Sequence, residues 1–203
     1  MIGSMTPPRP TLIADAAIAL IAERGLRGLT HRAVDEEAGL PAGSTSNLAR
    51  TRAALLDLAL TRIVEREAGG HPLMAGGPPP DACPRNLLAQ GVAELLHEAL
   101  TTGRSLTLAR LELALEATRR PELRAGYDRL GARFTDTAAA LLARSGSADP
   151  VADAQRLIRW CDGLLFNGAA GSGHWHVPTP EELRGEVARY LAALLDRGLL
   201  DRA

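Results

Sequence analysis

The chain has 203 residues, enough to bury a sizeable core, and only 3% are Phe, Trp or Tyr, so that core has to be built from Leu, Ala, Val and Ile. Its formal net charge of −1 excludes a generally basic coat, and any contact with nucleic acid then depends on where individual cations stand. Cys83 and Cys161 are too few and too far apart for a disulfide framework or a metal knuckle. No apolar run reaches the length of a membrane span, and the N-terminus lacks the charged-then-apolar order of a secretory signal. The expectation is a cytoplasmic protein with no membrane partner.

Residues 1–10 are Pro-rich without periodicity and read as a flexible arm carrying Arg9. In residues 11–24, Leu12, Ile13, Ala16, Ala17, Leu20 and Ile21 recur on one helix face, and Gly25 follows as a terminator. Residues 30–52 read THRAVDEEAGLPAGSTSNLARTR and predict two short helices joined by a sharp turn. Thr30 caps the first, whose inner face is Val34 and Ala38, and Gly39 ends it. Pro41 suits the first turn of the second, where its missing N–H has no partner to lose, and Ser44, Ser46 and Asn47 follow as short hydrogen-bonding side chains. This is the pattern of a helix-turn-helix, in which the second helix enters the major groove and the first crosses the phosphate backbone. Residues 1–67 hold eight Arg and eight Asp or Glu, so placement must supply the attraction: Arg32, Arg50 and Arg52 surround the reading helix, while Glu36 and Glu37 face away. Asp35 either points to solvent or has found a partner.

Residues 11–60 resemble the N-terminal domain of TetR (tetracycline repressor) family transcriptional regulators. Ala16, Ala17, Gly25, Thr30, Ala38, Gly39, Gly43 and Ser44 stand where that family places similar residues, and GSTSN followed by RTR is the closest local match. The resemblance implies that Thr30 is a phosphate-contacting cap, that Ala42, Gly43, Ser44, Ser46 and Asn47 face the groove, and that Arg52 touches a phosphate as it opens the next helix. It also implies double-stranded operator DNA as the partner. The family commonly has a tyrosine, a histidine and a phenylalanine where this chain has Ser46, Leu48 and Ala49; Leu48 is expected to fill part of the vacated aromatic space.

Residues 52–68 repeat an apolar stripe through Leu55, Leu56, Ala59, Leu60 and Ile63. Residues 69–84, GGHPLMAGGPPPDACP, are a composition break in which neither helix nor strand survives. Helical patterns then cover residues 85–101, 105–119, 122–144, 149–170 and 180–201, with no strand signal. Glu112 and Glu116 beside Arg119 and Arg120 read as solvated surface charges. The WCDGLLFNGAA segment, with Leu164 and Leu165, is apolar almost all round and should be buried on more than one side; Gly163 and Gly168 permit close approach. With the stripe Leu183, Val187, Tyr190, Leu191 and Leu194 of the last helix it is expected to form a four-helix interface in a homodimer. Leu111, Leu115, Tyr127, Phe134, Trp160, Phe166 and Asn167 are candidates for a small-molecule pocket between helices. The low aromatic content points to an apolar or acyl-like effector and away from a planar cation.

The fold class is all-α: an arm at 1–10, a three-helix DNA-binding domain at 11–51, and a larger helical effector-binding and dimerisation domain at 52–203. No phosphate loop, zinc-protease motif or nucleophile elbow is present, so no catalytic residue, metal site or cofactor is expected. His174 and His176 flank Trp175 in a Gly/Pro loop without a further ligand, which favours a surface loop over a metal site. The function expected is a ligand-responsive repressor released from a palindromic operator. The alternative is a helical homodimeric interaction or ligand-binding protein with a weakened DNA-reading head.

Overall fold

In the computed structural model, which describes residues 7–69 and 84–200, every regular element is a helix: α1 Arg9–Gly28, α2 His31–Glu37, α3 Ser44–Leu48, α4 Arg52–Gly69, α5 Pro84–Leu100, α6 Arg104–Ala117, α7 Pro121–Arg144, α8 Pro150–Ala169 and α9 Pro180–Leu200. No strand occurs among the described residues. Residues 1–6, Cys83 and most of the Gly/Pro-rich segment lie outside them.

The chain divides into two compact units, residues 1–66 with 108–127, and residues 67–107 with 128–203. The first thus takes in more than residues 11–51. Its α1 begins at Arg9, inside the expected arm, because Pro10 is already set for a first turn and the Pro8 carbonyl accepts from Thr11 and Leu12. Gly25 breaks the regular turns at φ 65 and ψ 179, so the chain kinks where the sequence pattern ends. Ile13, Ala17, Leu20 and Ile21 are buried, as are Leu29, Val34, Leu55, Leu56, Ala59, Leu60 and Ile63. Arg62 on α4 also reaches Asp15 on α1 through two bonds, Nε to Oδ1 at 2.9 Å and Nη2 to Oδ2 at 3.2 Å. The 108–127 segment adds buried Ala109, Leu113, Ala117 and Leu123. Glu116 is not the solvated charge its sequence context suggests: its side chain is 17% exposed and accepts from Arg120 Nε at 2.5 Å.

In the second unit α5 packs on α8 and α9. Leu88, Val92, Leu96, Leu142, Leu157, Leu183, Val187, Leu191 and Leu194 form one core, with Trp160, Leu164, Leu165 and Tyr190 against it. The stripe of the last helix is used within the chain: Leu183, Val187, Leu191 and Leu194 are at most 4% exposed because α5 covers them, while Tyr190 of the same stripe is half-buried. In the α8 segment expected to be buried on more than one side, Gly168 and Ala169 are buried, Trp160, Leu164 and Leu165 are half-buried, and Asp162, Gly163, Phe166 and Asn167 are exposed within one chain. Gly168 does make a close approach: a Cβ there would lie 2.9 Å from Leu100 Cδ2. Trp160 and Tyr190 stack at 4.7 Å, and the Tyr190 hydroxyl donates to the Arg156 carbonyl at 3.1 Å. Among the described residues no helix is long and apolar enough to cross a membrane.

Candidate nucleic-acid interface

The Thr30 hydroxyl accepts the Ala33 amide at 3.1 Å and starts α2. The turn to α3 needs two left-handed backbone positions, and glycine fills both: Gly39 at φ 63 and Gly43 at φ 88. Ser44 is 7% exposed and donates to the Pro41 carbonyl at 2.7 Å, which tightens the turn. Thr45 is fully buried. The outward set is therefore Ala42, Ser46, Asn47 and Arg50, all exposed, with Gly43 half-buried beside them. Of the five groove-facing residues named from the sequence, Ser44 alone turns inward.

Asp35 has found partners. It is 4% exposed and accepts from the Gly43 amide at 2.7 Å, the Thr45 amide at 2.7 Å and the Thr45 hydroxyl at 2.6 Å. Burial pushes its carboxyl up, but the Thr45 hydroxyl, the Thr45 and Gly43 amides and nearby His31 together outweigh it and hold the group below the usual carboxylate range. His31 Nε2 bonds the Ala49 carbonyl at 2.6 Å. Neither His31 nor Thr45 stands out in the sequence; the only signal is that Asp35 is a charge on the face α2 buries. Leu48 does not fill the vacated aromatic space, since it is 44% exposed while Ala49 is buried.

The cations around α3 differ in how they are used. Arg32 is exposed and pairs with Glu36 one turn on at 2.8 Å, a bond to a carboxylate that raises its pKa. Such an exposed pair is weak and exchanges readily for a phosphate. Arg50 is exposed. Arg52 is half-buried, and its Nη1 and Nη2 donate to the carbonyls of Leu29 and Leu26 at 2.8 and 2.5 Å. A guanidinium there satisfies carbonyls at the end of α1 and complements the negative end of that helix. The N-terminus of α4 is thereby tied to α1, with the Thr51 hydroxyl accepting the Ala54 amide as a cap at 3.1 Å.

The remaining candidates fall in different places. Leu111, Leu115 and Tyr127 belong to the first unit and Phe134, Trp160, Phe166 and Asn167 to the second. Leu115 and Phe166 are 62% and 56% exposed, Asn167 is exposed too, and Leu111, Tyr127, Phe134 and Trp160 are half-buried. A cleft of about 220 Å³ in the first unit is lined by Ala53, Ala54, Leu56, Asp57, Arg120, Glu122 and Leu123, none of them in that set. Among the described residues no three His, Cys, Asp or Glu come together as a metal site.

Residues 84–197 match the family model described as tetracyclin repressor-like, C-terminal domain. A TetR-family member from Streptomyces coelicolor A3 is 30% identical with a TM-score of 0.68, the alignment covering 93% of this chain and 99% of that one. The multidrug-binding protein EbrR, solved with ethidium, is 28% identical at a TM-score of 0.66, with 93% and 99% covered. A transcriptional regulator from Rhodococcus sp. Rha1 shares the fold at a TM-score of 0.75 and 19% identity, with 93% and 96% covered. A search of curated proteins returned no match. With that family model matching more than half of the chain and the Streptomyces protein 30% identical along almost all of it, the chain belongs to the TetR family of transcriptional regulators.

Proposed function

We propose that this regulator is a repressor that binds a palindromic operator as a homodimer and leaves it when a small molecule occupies the C-terminal unit. The observation that carries the DNA half of this reading is the division of α3: Ser44 and Thr45 turn inward, while Ser46 and Asn47 are exposed, as are Ala42 in the preceding turn, Arg32 on α2 and Arg50 just after α3. Short polar side chains on such a face let the helix approach base edges, and the exposed arginines supply phosphate contacts that fix its register. Thr30 joins them as the cap at the start of α2.

Two heads on one duplex require a dimer, with half-sites about 34–36 Å apart. The surface offered for it is the outward face of α8 and α9. Val151 and Phe166 are each 56% exposed there, Gly163 would place a Cβ in open space, and Leu164, Leu165 and Tyr190 are half-buried. Because EbrR, a relative at 28–29% identity, is a multidrug-binding protein solved with proflavin, ethidium and malachite green, planar aromatic cations join acyl-like molecules as effectors to test. Release works by population shift: a ligand that favours the form with wrongly spaced heads lowers DNA affinity by its preference for that form.

The test uses the operator duplex the protein selects. Two chains should bind per duplex, and an effector from one of these two classes should bind the free protein more tightly than the DNA complex. One chain per duplex overturns the dimer. Effector binding that leaves DNA affinity unchanged overturns release.

A further inference from the structure

We infer that Asp35 and His31, one turn apart on α2, are positioning residues that grip α3 at both ends and thereby set its sequence discrimination. The inference rests on the DNA-reading role proposed for α3.

The reading helix has five residues, far below the length at which a helix holds itself in water. Its N-cap is Gly43, which brings no side-chain acceptor, and no basic residue stands in its last turn. Apolar packing gives it little, because Leu48 is 44% exposed and Ala49 is small. What holds it is polar and comes from α2. The Asp35 carboxylate gathers the Gly43 amide, the Thr45 amide and the Thr45 hydroxyl, all within 2.7 Å, at the N-terminal end. His31 Nε2 takes the Ala49 carbonyl at the C-terminal end. Ser46 and Asn47 lie between these two anchors.

The consequence separates two kinds of affinity. Base reading needs Ser46 and Asn47 aimed within a few tenths of an ångström, whereas a long arginine follows a phosphate wherever it lies. Freeing α3 from α2 therefore lowers affinity for the preferred site and leaves binding to arbitrary duplex nearly unchanged. A residue needed only for folding would lower both.

The experiment compares the full-length protein with Asp35→Asn, Thr45→Val, His31→Ala and His31→Gln. It uses the duplex selected from a random library by the wild type and a scrambled duplex of equal length. Asp35→Asn is expected to cut affinity for the selected duplex by roughly tenfold to a hundredfold, the loss typical of bonds to a charged acceptor, with about twofold or less on the scrambled one. Thr45→Val removes one of the three donors and keeps both carboxylate oxygens bonded to backbone amides; a loss of about threefold to tenfold is expected. His31→Gln, which returns an amide donor near the place of Nε2, should recover discrimination that His31→Ala loses. In the same samples, amide exchange at Gly43 and Thr45 should accelerate in Asp35→Asn while Leu20 and Ile21 on α1 stay protected.

Wild-type discrimination in Asp35→Asn, with α1 still protected, overturns the inference and leaves the DNA reading standing. If Asp35→Asn loses protection on α1, Thr45→Val decides, and unchanged discrimination there overturns it as well. Failure of the wild type to enrich any sequence overturns the DNA reading itself and the inference with it.

Discussion

Replacing Arg52 by Met keeps an unbranched stem and removes the guanidinium that joins α4 to the end of α1. Two bonds to carbonyls are lost, from Nη1 to Leu29 and from Nη2 to Leu26. A bond from a charged donor contributes about 1.5–3 kcal/mol. Arg52 is half-buried and the Leu26 carbonyl keeps the Leu29 amide at 3.3 Å, so the pair together is set at about 2–3 kcal/mol. For a unit of this size that lowers the unfolding midpoint by roughly 8–24 °C. Both tryptophans, Trp160 and Trp175, belong to the second unit, so loss of far-UV ellipticity without a change in tryptophan emission reports the first unit alone. Arg52→Lys should recover little of this, since one ammonium on a flexible stem does not reproduce a fork across two carbonyls. Each phosphate contact contributes about 0.9 to the slope of log affinity against log salt. In Arg52→Met that slope should stay at its wild-type value. A slope smaller by about one, with an unshifted midpoint for the first unit, would refute this account and restore Arg52 as a phosphate contact.

Ser46→Ala and Asn47→Ala should each change the base preferred at one position of the half-site by about 1–3 kcal/mol without altering the salt slope; repeated site selection measures this, and an unchanged logo counts against α3 as the reading helix. Gly43→Ala meets no atom within 4 Å but is forced to φ 88, and should destabilise the first unit by about 1–2 kcal/mol in thermal melts. The Asp35 carboxyl has a folded pKa below its unfolded value, so its stabilisation is complete above the unfolded value and is lost as pH falls through the folded one. The stability gap between wild type and Asp35→Asn should therefore be flat from about pH 7 to 5 and shrink below about pH 4; a gap that widens in acid contradicts the assignment. Gly163→Arg fits open space within one chain, so it should leave the melting of the second unit unchanged while shifting sedimentation from dimer to monomer. A dimer of wild-type strength would move the interface elsewhere.

The parts of the head that are legible in the sequence are those fixed by residues close together in the chain. Thr30 three residues before Ala33 specifies a cap, and Gly39 ends α2 in a sharp turn, both by local chemistry, and both occur; Pro41 falls in that turn and not, as its local preference suggests, in the first turn of α3, which starts at Ser44. Tertiary partners are less accessible. The carbonyls that Arg52 meets leave no trace in the sequence, because every residue carries one. Asp35 is recognisable as out of place on an apolar face, yet its donors lie eight and ten residues on, across a turn whose geometry decides who is within reach. The stripe Leu183, Val187, Leu191 and Leu194 shows the same limit from the other side. Periodicity says that one face of α9 is covered, and α5 of the same chain covers it as well as a partner would. Exposed Phe166 and Val151 are invisible to such a pattern, since the same side chains serve a core equally well.

The most direct test of the central claim is selection of sites from a random duplex library by the purified protein, followed by affinity measurement at two salt concentrations. An enriched palindrome with half-sites about one helical turn apart is expected, with affinity that falls steeply as salt rises. No enriched sequence, with no binding even at low salt, would contradict it and leave the C-terminal unit as the place where this chain acts.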